Sequence, residues 1–209
     1  MIIDRNVKKL GIVPQNLIDD FAQILHTVDW NHADFDRTGD YLKARTVFIP
    51  TDARPHPYQV DSEQIISVRQ GFDPLKKWIN EVFSGDVFIK YDINYIPSKI
   101  CIPYHYDHCW FHEYASRVHI PIISNANAFW MAREQKCLMP VGYYYEVNNR
   151  ELHSFYNNGE AGRIHAVIDI MKPDVYNKAI AENIDLNSTT IETVYIDPKE
   201  ILGDNYLDE

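Results

Sequence analysis

The stretch Ser116-Arg-Val-His-Ile-Pro-Ile-Ile-Ser-Asn-Ala-Asn-Ala-Phe-Trp-Met-Ala132 holds two runs of β-branched and aromatic residues, parted by the turn-forming Ser124-Asn-Ala-Asn127. β-Branched and aromatic side chains suit a pleated, half-buried surface, and Ser and Asn close turns through their own side chains. The same alternation of short apolar run and turn extends in both directions. Strands are expected at 87–95, 100–107, 116–123, 127–132, 142–147, 152–156 and 163–171, with Asn148-Asn149 and Asn157-Asn-Gly-Glu-Ala-Gly162 punctuating the later ones. Many short strands at this spacing predict an antiparallel sandwich or barrel, of which an eight-stranded jelly roll is one solution.

Ahead of that region the pattern is helical. Asn16 can cap a helix with Leu17, Phe21, Ile24, Leu25 and Val28 on one face. Asp73-Pro74 reads as the start of a second, with Leu75, Trp78, Ile79, Val82 and Phe83 as its apolar stripe. Residues 44–50 read as a strand, and Asp52 to Tyr58, with two prolines, as loop. Beyond Pro173 a helix near Val175–Glu182 and a strand near Ile191–Ile196 are expected. The organisation expected is mainly β and one domain: helical and irregular support over 1–84, a jelly-roll core over 85–175, and a C-terminal extension over 176–209.

The chain has 209 residues, 45% hydrophobic and 24% charged, enough for a sizeable core in an ordinary globular protein. A formal net charge of −10 argues against a general nucleic-acid binder, because phosphate contacts need concentrated Lys and Arg. The N-terminus lacks an uninterrupted apolar stretch of signal-peptide length, and no window approaches a membrane span. Three cysteines, an odd count without a Cys-x-x-Cys pair, predict no disulfide framework. The expectation is a cytoplasmic protein acting on a small molecule or peptide, with neither nucleic acid nor membrane as partner.

His105 and Asp107 stand at i and i+2 in an apolar-rich run, so on a strand both side chains emerge on one face. His153, 48 residues further on in another strand-like run, is the best second imidazole. Two imidazoles and a carboxylate on one iron(II) leave three positions open, two for a 2-oxo acid and one for O2. His-x-Asp alone is a weak signal in a chain with nine histidines. His108, His112 and His119 compete as ligands, although His108 would emerge on the opposite face. Arg163 strengthens the pattern: it follows His153 by ten residues and opens the apolar run Arg163-Ile-His-Ala-Val-Ile-Asp169. A guanidinium there can grip a carboxylate through two parallel hydrogen bonds.

Arg117 and His119 form a second i, i+2 pair able to reach a bound acid or the substrate, while His119 reads equally well as a core histidine. Trp110, Phe129, Trp130 and Tyr143-Tyr144-Tyr145 supply ring surface for a pocket wall or simply for the core. Cys101 and Cys109 bracket the motif as small buried residues rather than ligands. Three readings stand at this point. The first is an Fe(II)/2-oxoglutarate oxygenase. The second is a jelly-roll metalloenzyme that does not use 2-oxoglutarate, with Arg163 a bystander. The third is a non-catalytic jelly-roll binding module whose histidines are structural.

Five pieces in one order carry a family resemblance: Ile102-Pro-Tyr-His105, Arg117-Val-His-Ile-Pro121, Glu151-Leu-His153, Arg163-Ile-His-Ala-Val-Ile-Asp169 and Lys172-Pro-Asp174. With them the segment from about Val87 to Asp174 resembles the aspartyl/asparaginyl β-hydroxylase family of 2-oxoglutarate oxygenases, a group that includes hydroxylases of proline. The resemblance implies a double-stranded β-helix (a cupin-like jelly roll) with iron between its sheets. It implies that His105 and His153 bind Fe(II), and that Arg163 holds the distal carboxylate of 2-oxoglutarate. Arg117 and His119 fall where the family contacts the co-substrate's other carboxylate or the substrate. Asn94, eleven residues before His105, falls where it places a polar side chain on the co-substrate. The β-hydroxylases of growth-factor-like domains lack the carboxylate ligand, whereas Asp107 stands where the proline-hydroxylase branch has it. That departure points to a three-ligand site, away from aspartyl-specific activity and from halogenation. The implied reaction, with O2 as oxidant, hydroxylates a Pro, Asp or Asn side chain, free or in a peptide, and releases succinate and CO2.

Overall fold

Strands β1 (Ile2–Asp4), β2 (Val7–Ile12), β3 (Arg45–Ile49), β4 (Val87–Ile96), β5 (Ile100–Cys101), β6 (Ser116–Ile123), β7 (Ala128–Ala132), β8 (Gln135–Leu138), β9 (Tyr143–Val147), β10 (His153–Asn157) and β11 (Arg163–Met171) make up two antiparallel sheets. They are seen in a computed structural model that describes residues 2–4, 6–30, 44–53, 62–107, 114–184 and 195–204. The larger sheet runs β1-β2-β9-β6-β11-β4-β3 and the smaller β5-β10-β7-β8. From β5 onward the chain passes back and forth between the sheets. This is the jelly-roll path of a double-stranded β-helix.

Side-chain alternation along β11 explains the layers. Ile164, Ala166, Ile168 and Ile170 enter one apolar core with Val118, Ile120 and Ile122 of β6 and Tyr91 and Ile93 of β4. Two helices, α1 (Gln15–Leu25) and α2 (Glu63–Val82), close that core from outside with Ile18, Phe21, Leu25, Ile65, Val68, Phe72, Leu75 and Ile79. Each such side chain contributes roughly 1.5–3 kcal/mol on full burial. The opposite faces of β4, β6 and β11 look toward the small sheet, and they carry Asp92, Asn94, Arg117, His119, Arg163, His165 and Asp169. All nine residues of β11 are buried, so this polar face is enclosed too. Burying polar groups is unfavourable unless they are paired, which singles out the space between the sheets.

The small sheet meets the large one through Trp130, Ala132 and Cys137 packed with Val7, Tyr145 and Val147. Its outer face carries Tyr104, Met131, Leu152 and Tyr156, against which Ile196, Ile201 and Leu202 pack from the C-terminal part, the last two from α4 (Pro198–Leu202). A further helix, α3 (Pro173–Ala181), sets Val175 and Tyr176 beside Ile89, Ala115 and Met171.

Several expectations need correction. The second helix begins at Glu63, not near Asp73: Ser62 accepts the Ile65 N–H and caps it, and Pro74 lies inside. An internal proline removes one helix hydrogen bond at a cost of about 3 kcal/mol. Buried Ile65, Val68, Phe72, Leu75 and Ile79 keep one apolar stripe running through it, and their packing outweighs the loss. Pro14, not Asn16, precedes α1, with no side-chain cap. The run 100–107 is a strand only at Ile100–Cys101, while Tyr104 and His105 form isolated bridges to Ile196 and His153. Strands β1, β2 and β8 had no counterpart in the sequence reading. Most of the Asp52–Tyr58 loop and of the Ile191–Ile196 strand, with His108, Cys109, Trp110 and His112, lies outside the described residues.

Candidate metal centre

His105 and His153 face each other across an antiparallel bridge, each donating its N–H to the other's carbonyl at 2.9 and 3.0 Å. Each ring is oriented the same way: Nδ1 of His105 lies 2.9 Å from the Pro103 carbonyl, and Nδ1 of His153 lies 2.9 Å from the Glu151 carbonyl. A carbonyl only accepts, so Nδ1 carries the hydrogen and Nε2 keeps its lone pair in the neutral ring. Both Nε2 atoms turn toward Asp107, at 3.7 Å from Oδ1 for His105 and 3.8 Å from Oδ2 for His153. The three ligand atoms lie within 4.8 Å of one another. Donors bonded to one first-row metal at about 2.0–2.2 Å stand roughly 3–4 Å apart. Burial pushes the His153 pKa down to about 3, against the opposing pull of Asp107, so this imidazole is a neutral donor.

Asp107 is not on a strand, and its carboxylate is oriented from two sides. Oδ2 accepts from Arg117 Nη1 and from Asn149 Nδ2, the latter at 3.2 Å. Arg117 in turn forks onto Asp169, with Nε donating to Oδ1 at 2.8 Å and Nη2 to Oδ2 at 2.9 Å. Burial works against the Arg117 cation, but Asp107, Asp169 and Asp92 together outweigh it and raise its pKa. The sequence pattern offers Arg117 to a bound acid; in the structure its guanidinium is engaged by these two carboxylates.

A second polar cluster lies at the start of β11. Arg163 is 1% exposed, and no carboxylate pairs with it among the described residues; burial pushes its pKa down to about 9. Nη2 donates to Nδ1 of His165 at 2.7 Å, and the guanidinium carbon lies 4.6 Å from the Phe155 ring centroid. His119 also stacks on Phe155, with ring centroids 5.6 Å apart, and its Nδ1 lies 3.4 Å from Nδ1 of His165. Burial first, then the Arg163 cation, lowers the pKa of both imidazoles well below the usual value. Nε2 of His119, Nε2 of His165 and Nε1 of Trp130 are buried without a hydrogen-bond partner among the described residues. Asn94 pairs in register with His165, and its Oδ1 accepts from Thr46 at 2.7 Å.

Arg163 is delivered by a stitched turn: Asn157 donates to the Pro97 and Ala161 carbonyls at 2.8 and 3.0 Å and accepts from Gly159 N–H at 3.2 Å. Phe155 connects the two clusters. It follows His153 by one alternation on β10, with ring centroids 6.2 Å apart, while Trp130 stacks on His153 from the paired strand at 5.6 Å. The sequence reading gave no role to Asn149, Phe155, His165 or Asp169. For His165 and Asp169 the signal is the polar alternation 163, 165, 169 within an apolar run; Asn149 and Phe155 carry none. Cys101 has its thiol pKa raised to about 11 by burial, as suits a packing residue.

Among the described residues no helix is long and apolar enough to cross a membrane. No protein-family model matches the chain, and no curated protein matches its sequence. Solved structures do resemble it. A Pseudomonas putida prolyl-4-hydroxylase gives a TM-score of 0.49 at 10% identity, over 82% of this chain and 95% of that one. A Trichoplax adhaerens prolyl hydroxylase, solved with a peptide fragment of hypoxia inducible factor, gives 0.48 at 11% identity, over 85% and 89%. A viral collagen prolyl hydroxylase from Paramecium Bursaria Chlorella virus-1 gives 0.43 at 10%, over 80% and 97%. At TM-scores below 0.5 these likenesses decide neither fold nor chemistry, which rest on this chain's own strands and side chains.

Proposed function

We propose that this chain is an Fe(II)- and 2-oxoglutarate-dependent dioxygenase that hydroxylates an amino-acid side chain, Pro, Asp or Asn, free or within a peptide. One observation carries the reading: the Phe155 ring touches both Arg163, a buried cation without an acid partner among the described residues, and His153, a member of the candidate metal-ligating group. A small 2-oxo diacid can chelate a metal with one end and neutralise a guanidinium with the other. An unpaired buried charge is strongly unfavourable, so a bound carboxylate stabilises what the protein alone leaves uncompensated.

The residues fit the metal. Two neutral imidazoles and one carboxylate are the donor set of non-haem Fe(II) centres that keep positions open. His105, His153 and Asp107 would hold the ion, with Arg117 and Asn149 holding the carboxylate in its ligating orientation. When bound, Fe(II) with 2-oxoglutarate and O2 supplies the oxidising chemistry that places one oxygen atom in a C–H bond and yields succinate and CO2. Arg163 orients the co-substrate through its far carboxylate. Phe155 and Trp130 keep water from the space between metal and cation. His119 and Asn94 line the same inner face and complete its polar surface. Free Cys101 and Cys137 suit a reducing compartment such as the cytoplasm.

The test is succinate formation from 2-oxoglutarate with iron and O2, in the wild type and in Arg163→Ala. Loss of a buried charge pair lowers turnover at subsaturating 2-oxoglutarate by about 100-fold or more. Equal turnover in the two proteins would favour a metalloenzyme that needs no 2-oxoglutarate.

A further inference from the structure

We infer that Lys90 and Asp92 form a head-group site for the substrate, a free α-amino acid: Asp92 Oδ1 takes its ammonium and Lys90 Nζ takes its carboxylate. The inference rests on the proposed 2-oxoglutarate reading and narrows the substrate of that site from a free or peptidyl residue to the free one.

The two oxygens of Asp92 are unequally used. The residue is 1% exposed, and Oδ2 pairs with Lys90 Nζ. Oδ1 is buried with no hydrogen-bond partner among the described residues. A carboxylate oxygen only accepts, and leaving it bare away from water is unfavourable, so it calls for an N–H or O–H from outside the fold. Lys90 has the converse surplus. Its side chain is 12% exposed, Nζ directs one hydrogen to Oδ2, and it lies 5.9 Å from the Phe48 ring centroid. An ammonium has three hydrogens, and no acceptor among the described residues takes the other two. A bare anionic acceptor beside spare cationic donors is the complement of an ammonium and a carboxylate carried on one carbon. A residue inside a peptide has neither backbone charge and would leave both ions unmatched.

Position puts this pair within reach of the candidate metal centre. Tyr91 and Ile93 enter the helix-covered core, so Lys90 and Asp92 emerge on the opposite, inner face of β4. Lys90 and Arg117 both pair in register with Asp169, and Asp92 and His119 both pair with Val167. Two strand spacings, roughly 10 Å, therefore separate the backbones of the pair from β6, whose Arg117 reaches Asp107. A small amino acid with its head group on β4 can extend its side chain across that interval. Of the neighbouring cations, Arg117 is engaged by Asp107 and Asp169, which leaves Lys90 to meet the carboxylate.

The experiment is calorimetry on the full-length chain with Mn(II) and saturating 2-oxoglutarate, without O2. L-proline, L-asparagine and L-aspartate are each compared with their N-acetyl and α-amide derivatives. At least one free amino acid is expected to bind, and blocking either end should weaken it about 10- to 100-fold, the loss of one charge-assisted hydrogen bond. Asp92→Asn should largely erase the preference over the N-acetyl form, and Lys90→Met the preference over the α-amide. Each preference is a ratio read within one protein, so a general loss of stability does not imitate the result. Blocked forms that bind the wild type as tightly as the free amino acid, no binding of any of the three where 2-oxoglutarate binds, or full discrimination retained in both variants would overturn the inference and leave the co-substrate reading intact. A wild type that binds Mn(II) but no 2-oxoglutarate would overturn both.

Discussion

His105 and His153 are coupled through their backbones: the reciprocal N–H to carbonyl bonds at 2.9 and 3.0 Å set the two imidazole centroids 4.4 Å apart. The candidate metal-ligating pair is thus a property of backbone pairing between positions 48 apart in the chain. Everything that stiffens this bridge, including the hydrogen bonds between Tyr104 and Ile196 at 2.9 and 2.8 Å, also stiffens the site.

Removing the Asn149 amide should weaken metal binding without abolishing it. Asn149→Ala deletes one donor on Asp107 Oδ2 and leaves Arg117 in place. Partners that orient a ligand typically change metal affinity by about 10- to 100-fold. Calorimetry with Mn(II) checks this, and wild-type affinity in the variant would mean that the Asn149 contact plays no part.

Arg163→Met should make the metal-free protein more stable while removing its response to 2-oxoglutarate. The guanidinium is buried with no carboxylate beside it among the described residues, and replacing such a charge with an apolar side chain gains about 1–3 kcal/mol. Denaturant unfolding measures the gain, and a thermal shift with Mn(II) and 2-oxoglutarate measures the lost response. A less stable variant would contradict the claim that Arg163 is uncompensated.

Stability should fall as pH drops below about 6.5, the value near which histidine titrates in an unfolded chain. His119 and His165 have lowered pKa values in the fold, from burial and the Arg163 cation. Below 6.5 the unfolded chain takes up protons that the folded chain excludes, so the folded state loses up to about 1.4 kcal/mol per pH unit for each imidazole. Above it both states are neutral at these groups and their contribution is flat. Metal-free His153 acts in the same direction, its pKa lowered to about 3. Unfolding curves between about pH 5 and 8 should show a shallower slope in the His119→Gln/His165→Gln double variant. Parallel slopes would refute the assignment.

Phe72→Ala should cost about 3–5 kcal/mol, because the ring is fully buried between Phe21, at 5.4 Å, and Tyr91, at 5.7 Å. Chemical denaturation reads the loss, and Mn(II) affinity should be unchanged. A cost below about 1 kcal/mol would show that α2 is not anchored as described.

Much of this architecture is legible in the amino-acid order, and the illegible parts have physical causes. β6 and β11 lie at the residues expected, because β-branched residues recur at alternate positions on the face that enters the core, Val118, Ile120 and Ile122 in one and Ile164, Ile168 and Ile170 in the other. β2 contains Lys8 and Lys9, and β8 contains Gln135 and Lys136 at the end of its sheet; such strands carry little apolar pattern. The turn before β8 uses Arg133 at φ 52°, a conformation for which glycine or asparagine is the usual sign. The start of α2 was missed because Pro74 imitates a first-turn proline. At the site, the residue types and order of His105, Asp107 and His153 are legible, although Asp107 lies outside the strands and is not placed by the i, i+2 strand spacing. The Arg117–Asp169 fork is not legible, since it joins residues 52 apart by strand register alone.

The most direct measurement is anomalous diffraction from crystals of the chain grown with Mn(II) or, without O2, with Fe(II). One peak bonded at about 2.0–2.2 Å by Nε2 of His105, Nε2 of His153 and a carboxylate oxygen of Asp107 is the expected result. A metal held by other residues, or no peak at saturating metal, would contradict the central claim.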